Sequence, residues 1–99
     1  MRFSVIPVLP PRRAKQMWRK YGLTAAGFYR LWKRQRGRCA ICDKSFQGQA
    51  KQAQVEHSHK TQQVRGLACS WCNYRFLGPL ERGGIARLRR AIPHLGWKL

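Results

Sequence analysis

The stretch Cys39–Asn73, CAICDKSFQGQAKQAQVEHSHKTQQVRGLACSWCN, decides the fold. It opens with Cys39-x-x-Cys42 and closes with Cys69-x-x-Cys72, and 26 residues separate the two pairs. Zinc prefers four soft ligands in a tetrahedron, and each x-x turn presents two sulfurs to one ion. The spacing therefore predicts one structural Zn²⁺ per chain on Cys39, Cys42, Cys69 and Cys72. Arg38, Lys44, Arg65 and Arg75 lie near in sequence and offset the thiolate charge. The alternative is a redox pair or two disulfides. Nothing in the chain points to secretion, and in a reducing cytoplasm paired Cys-x-x-Cys motifs favour metal. Removing such a zinc is expected to unfold the domain.

Between and beyond the pairs, the pattern predicts a strand over 53–57, a turn at 58–62 and a second strand over 63–67. A helix is expected from Ser70 to about Leu77, stopped by Gly78-Pro79. Working outward, Pro11 suits the first turn of a helix running to Tyr21, with Gly22 as its stop. Thr24 is the N-cap expected for a helix over 25–36, whose apolar stripe is Phe28, Leu31, Trp32 and the stem of Gln35, with Gly37 ending it. A last helix spans about 84–92, with Ile85, Leu88, Ala91 and Ile92 on one face and Pro93 at its end. The fold class expected is α+β: an extended arm at 1–10 and one domain at 11–99. That domain divides into a helical region (11–36), a zinc-bound core (37–78) and a C-terminal helix and tail (79–99). The apolar arm segment Val5–Leu9 is short and broken by Pro7, and is expected to pack on the body or on a partner chain.

The chain has 99 residues, of which 43% are hydrophobic, enough for a small core that benefits from a staple. Lys and Arg number 21 against three acids, for a formal charge of +18. Such a surface is matched by a polyanion, and nucleic acid is the leading partner through phosphate neutralisation and counterion release. The residues expected on DNA are Arg12, Arg13, Lys15, Arg19, Lys20, Arg30, Lys33, Arg34, Lys60 and Arg65. An anionic membrane is the weaker alternative, because no long basic amphipathic helix is evident. No apolar run approaches the ~20 residues of a membrane span. The location expected is cytoplasmic.

With three acids, each placement matters. Asp43 follows Cys42 in the knuckle, and Glu81 follows Gly78-Pro79-Leu80 and is expected to be solvated. Glu56 ends a predicted strand directly before His57. A carboxylate there suits a hard cation such as Mg²⁺, and an imidazole suits a general base near neutral pH. The alternative for Glu56 is a salt bridge with one of the many arginines. His59 either contacts phosphate or orders the turn. Simple strand alternation sends Glu56 and His57 to opposite faces, so joint action needs a bend at the strand end.

Four segments together resemble the phage recombination endonuclease VII family, within the HNH or ββα-metal nucleases. They are Tyr21-Gly22-Leu23-Thr24, Gln35-x-Gly37-x-Cys39-Ala40-Ile41-Cys42, Val55-Glu56-His57-Ser58-His59-x-Thr61, and Val64-Arg65-Gly66-Leu67-x-Cys69-x-x-Cys72-Asn73. The resemblance spans about residues 21–78. It implies a zinc-stapled ββα-metal core and a DNA endonuclease acting on duplex or branched DNA, in junction resolution, nicking or packaging in a phage setting. It makes the cysteines the structural zinc ligands, Glu56 and Asn73 the ligands of a catalytic Mg²⁺ or Mn²⁺, His57 the general base and His59 an auxiliary at the phosphate. A homodimer is expected, because a branched-DNA enzyme needs two sites for two strands. Three departures stand out: Glu56 replaces the commoner aspartate, Gln62 or Gln63 stands where a turn glycine is usual, and Phe76 stands where a relative carries glutamate. The competing reading is a zinc-stabilised nucleic-acid-binding protein without catalysis.

Overall fold

A computed structural model describes residues 6–98, so residues 1–5 of the expected arm lie outside the described residues. Pro11 opens helix α1 (Pro11–Tyr21), and Gly22, at φ +67°, closes it by donating its N–H to Trp18. Thr24 then caps α2 (Ala25–Gln35), its hydroxyl accepting from the Gly27 N–H at 3.0 Å. The stop of α2 falls one residue before the expected Gly37: Arg36 is itself left-handed at φ +57°, and Gly37 follows at +66°. Of the arm, Leu9 packs against the core and gives its N–H to the Tyr29 hydroxyl at 3.2 Å.

The core is the predicted stripe of α2 meeting the knuckle and the hairpin. Phe28, Trp32, Phe46 and Leu67 are fully buried, with Met17 of α1 beside them. Trp32 and Phe46 stack at 5.4 Å between centroids. Gly37 is required here, since a Cβ on it would come within 3.2 Å of the Trp32 ring. Leu31, the third member of the stripe, is only partly buried.

Strands β1 (Gln54–His57) and β2 (Val64–Ala68) pair antiparallel, with Gln54 opposite Ala68 and Glu56 opposite Gly66. The register shifts between Glu56 and His57, which leaves Arg65 as an extra residue on β2. This bulge bends the strand end but leaves Glu56 and His57 lining different cavities. The Gln35 side chain behaves as a short additional strand: its amide accepts from Leu67 N–H at 2.9 Å and donates to Leu67 C=O at 2.8 Å. Sequence patterning reads only the apolar stem of Gln35, whereas its amide is what docks α2 on the sheet.

The helix after Cys69 does not stop at Gly78-Pro79. Both residues are right-handed helical, and the chain continues through wide π-type turns at Cys72–Leu77 and Leu80–Gly84. Gly78 donates to the Asn73 carbonyl, five residues back. The wider turn relieves the clash that a proline makes in a tight α-helix, so Pro79 is accommodated rather than terminating. The break comes at Arg82–Gly83, where Gly83 reaches φ +101°. Helix α3 (Ile85–His94) follows, with Pro93 inside its last turn rather than after it. Its apolar face buries no residue. Among the described residues, three α-helices and a two-stranded sheet make an α+β fold. No described helix is long and apolar enough to cross a membrane.

Candidate active site

The two knuckles converge as the spacing predicts. One sulfur from each of Cys39, Cys42, Cys69 and Cys72 lies within 4.8 Å of every other. Cys42 Sγ and Cys69 Sγ are 3.9 Å apart, far beyond the ~2.05 Å of a disulfide, and all four cysteines are free. Main-chain N–H groups of Ile41 and Cys69 point at Cys39 Sγ at 3.4 and 3.3 Å. Burial pushes the Cys39 thiol up, but the N–H groups of Cys42, Cys69 and Ile41 outweigh it and bring it down to about 7. Burial and the neighbouring sulfurs push Cys72 the other way, well above the ordinary thiol range. Four sulfurs this close cannot all ionise without a cation between them, and the donor set is that of a structural zinc site. The cluster joins the end of α2 to the start of the π-helical segment and fixes the hairpin between them.

Asn73 directly follows the last of these cysteines, and its N–H bonds to the Cys69 carbonyl at 2.9 Å. It lines a cleft of about 500 Å³ together with His57 and His59. The cleft is walled by the cations Arg13, Lys20, Lys51 and Arg82. The His57 ring lies 4.8 Å from that of Tyr21 and 4.9 Å from that of His59. The hairpin bulge, the end of α1 and the π-helical turn thus bring three of the four expected catalytic residues to one basic hollow. Tyr21 belongs to the motif that carries the resemblance, but no chemistry marked it in advance as a neighbour of His57.

Glu56 is not with them. It is 8% exposed and lines a second cavity on the other face of the hairpin, with Ala40, Leu77 and Leu80. Both its oxygens accept from Arg65, from Nε at 3.0 Å each and from Nη2 at a shorter contact. The salt bridge weighed as the alternative for Glu56 is therefore present. Carboxylate and amide oxygens are suitable donors for a hard cation. As placed, Glu56 and Asn73 line different cavities.

Glu81 is exposed, as expected, but it is also tied in. Its Oε1 lies 2.9 Å from His59 Nδ1, and its Oε2 lies 3.3 Å from the His59 N–H and 3.3 Å from Arg65 Nη1. Desolvation raises the Glu81 carboxyl, but His59 and Arg65 outweigh it and hold the group below its ordinary value. The pairing arises because the helix runs on past Pro79: one more wide turn carries residue 81 back to the hairpin. The signal available in the sequence was only that Glu81 is one of three acids.

Of the residues expected on DNA, Arg12, Lys15, Arg19, Lys20, Arg30, Lys33, Arg34 and Lys60 have exposed side chains. Arg65 is committed to Glu56 and Glu81. Arg13 donates to the Ala50 and Ala53 carbonyls and lies over the Phe28 ring, 5.6 Å from its centroid. Those two guanidiniums work inside the fold, and both still border a cavity.

A family model described as recombination endonuclease VII matches residues 14–96. The Gene 59 protein of Mycobacterium phage D29 is 44% identical over 75 residues, and the Gene 59 protein of Mycobacterium phage L5 is 41% identical over 75 residues. Each alignment covers 76% of this chain and 44% of the relative, so the chain spans less than half the length of the curated relatives it matches. No solved structure matches the chain significantly.

Proposed function

The chain belongs to the recombination endonuclease VII family, and from that premise we propose that it is a DNA endonuclease hydrolysing phosphodiester bonds, with His57 as general base. The observation that carries the reading is the single basic hollow shared by His57, His59 and Asn73. Its cations attract the DNA backbone, and phosphate neutralisation fixes the duplex beside the imidazoles. His57 takes a proton from water as that water attacks phosphorus in line with the 3′ oxygen. The P–O3′ bond breaks, leaving a 5′ phosphate and, after protonation of the leaving oxygen, a 3′ hydroxyl. His59 donates a hydrogen bond to the phosphate, where charge develops.

Family membership implies a divalent cation, Mg²⁺ or Mn²⁺, which when bound would stabilise charge on the phosphate and leaving oxygen. Asn73 is the ligand available in the hollow, and Glu56 would join it only after leaving Arg65. No step above depends on that exchange. The zinc-stapled ββα-metal reading is supported by the hairpin followed by the Asn73 helix. A substrate of duplex or branched DNA and a homodimeric state complete the proposal.

The deciding test is cleavage of a four-way junction and of linear duplex with Mg²⁺ or Mn²⁺, with a chelator control. Wild type cuts, and His57→Ala binds DNA and retains zinc but cuts far more slowly. Equal cutting by both proteins overturns the base assignment. A second reading is a zinc-stabilised DNA-binding protein without catalysis. One observation favours it: the Glu56 carboxylate is occupied by Arg65. Binding without any cutting, in either metal, would decide for it. Dimerisation is tested by sedimentation with DNA present, and a monomer throughout removes it.

A further inference from the structure

We infer that Glu81 is a positioning residue for His59, holding the imidazole by Nδ1 so that Nε2 faces the phosphate. The inference rests on the hydrolytic reading of the cleft given above, but its geometric part is independent of it.

Two separate bonds carry the inference. The Glu81 carboxylate meets His59 Nδ1 at 2.9 Å and the His59 main-chain N–H at 3.3 Å, across 22 residues of sequence. One oxygen thus orients the ring, while the other anchors the backbone that bears it. An exposed histidine in a turn would otherwise sample several rotamers, and the His59 side chain is 65% exposed. A carboxylate at Nδ1 places the proton of the neutral ring on that nitrogen and leaves Nε2 as the free one, the arrangement by which outer partners orient functional histidines. It is the charged ring, with Nδ1–H held by Glu81, that donates Nε2–H to the phosphate; the neutral tautomer reports which nitrogen Glu81 holds, and the rate reports the ring's orientation.

The turn and the helix are shaped for this pairing. Ser58 Oγ accepts from the N–H groups of Lys60 and Thr61, and Gln62 Nε2 donates to the His59 carbonyl at 3.2 Å, so the turn bearing His59 is braced from within. On the opposite side, Glu81 sits one residue before the Arg82–Gly83 break. Among the described residues, Arg65 at 3.3 Å and the His59 ring are the charged and titratable groups paired with it. Arg65 also holds Glu56, so two of the three acids of the chain are joined through one guanidinium, and the outer of the two reaches the histidine.

The test uses the zinc-loaded full chain and three proteins: wild type, Glu81→Ala and Glu81→Gln. Imidazole ¹⁵N shifts read the His59 tautomer at a pH where the ring is neutral, and cleavage and DNA binding are measured in parallel. In wild type the proton resides on Nδ1. In Glu81→Ala it moves to Nε2, the nitrogen that an unconstrained histidine prefers, and cutting falls roughly 10-fold at unchanged DNA affinity. Glu81→Gln, whose amide oxygen still accepts, keeps the Nδ1–H form and recovers most of the rate. The same tautomer in wild type and Glu81→Ala overturns the inference, as does full activity of Glu81→Ala. If wild type cuts no DNA while the tautomer still responds to Glu81→Ala, the hydrolytic reading fails and the Glu81–His59 pairing stands.

Discussion

Glu56 and His57 are consecutive in the chain and open onto different cavities of the hairpin. The imidazole lines the basic cleft, while the carboxylate lies behind the sheet against Arg65. The register shift between them bends the strand without bringing both side chains to one face. A short sheet with one extra residue on β2 therefore separates a candidate base from a buried acid.

That acid depends on its partner. Replacing Arg65 with Met leaves the Glu56 carboxylate buried and unpaired. Loss of a partner in a buried pair is strongly destabilising, but the Arg65 side chain is 42% exposed, so water takes up part of the deficit. The expected cost is about 1–2 kcal/mol, read by thermal unfolding at fixed zinc. The double variant Glu56→Gln/Arg65→Met should regain part of it, and unchanged stability of the single variant would contradict the pairing.

Gln35 tests how α2 is docked. In Gln35→Ala the buried Leu67 N–H loses the Gln35 Oε1 acceptor, whereas the Leu67 carbonyl keeps the Ala40 N–H at 3.0 Å. One orphaned buried donor costs roughly 1–3 kcal/mol. Gly66→Ala should act in the same direction, because its Cβ would stand 2.9 Å from Gln35 Oε1. Denaturant titration of both variants checks this, and a loss in Gln35→Ala too small to resolve would remove the clamp.

Two left-handed residues should respond in opposite ways. Gln62 sits at φ +66°, in the turn where the family resemblance implies a glycine. Gln62→Gly removes that backbone strain at the expense of unfolded-chain entropy and of the bond to the His59 carbonyl, with a net gain of up to about 1 kcal/mol. Gly37→Ala keeps the left-handed φ and presses a methyl on Trp32, with an expected loss of about 2 kcal/mol. Melting curves that move the same way in both variants would refute the assignment of strain.

Acid should release zinc. Cys39 is a group whose folded value, about 7, lies below its ordinary 9.0. The preference of the fold for its thiolate is therefore complete above the ordinary value and is lost as pH falls through about 7. Protons then compete with metal even at Cys39, the cysteine that holds its thiolate to the lowest pH, while Cys72, raised by burial, needs the cation to ionise at all. Zinc content and circular dichroism followed together from pH 8 to 5 should fall together, and chelation at pH 8 should give the same unfolded spectrum. A chain that stays folded after complete zinc loss would show that its core suffices alone.

Much of this molecule was legible in one dimension because its determinants are local. Two Cys-x-x-Cys turns, Pro11 at a helix start, Thr24 before an apolar stripe and alternation around 54–68 each involve residues a few positions apart, and periodicity reports such relations directly. The tertiary structure alone decided what depends on long separations and on small changes of helical pitch. Gln35 reaching Leu67 is one such relation, and Arg65 claiming Glu56 across the sheet is another. Glu81 is the third: a proline that stops a tight helix is admitted by a wider one, and that single change of pitch carries the last acid to His59.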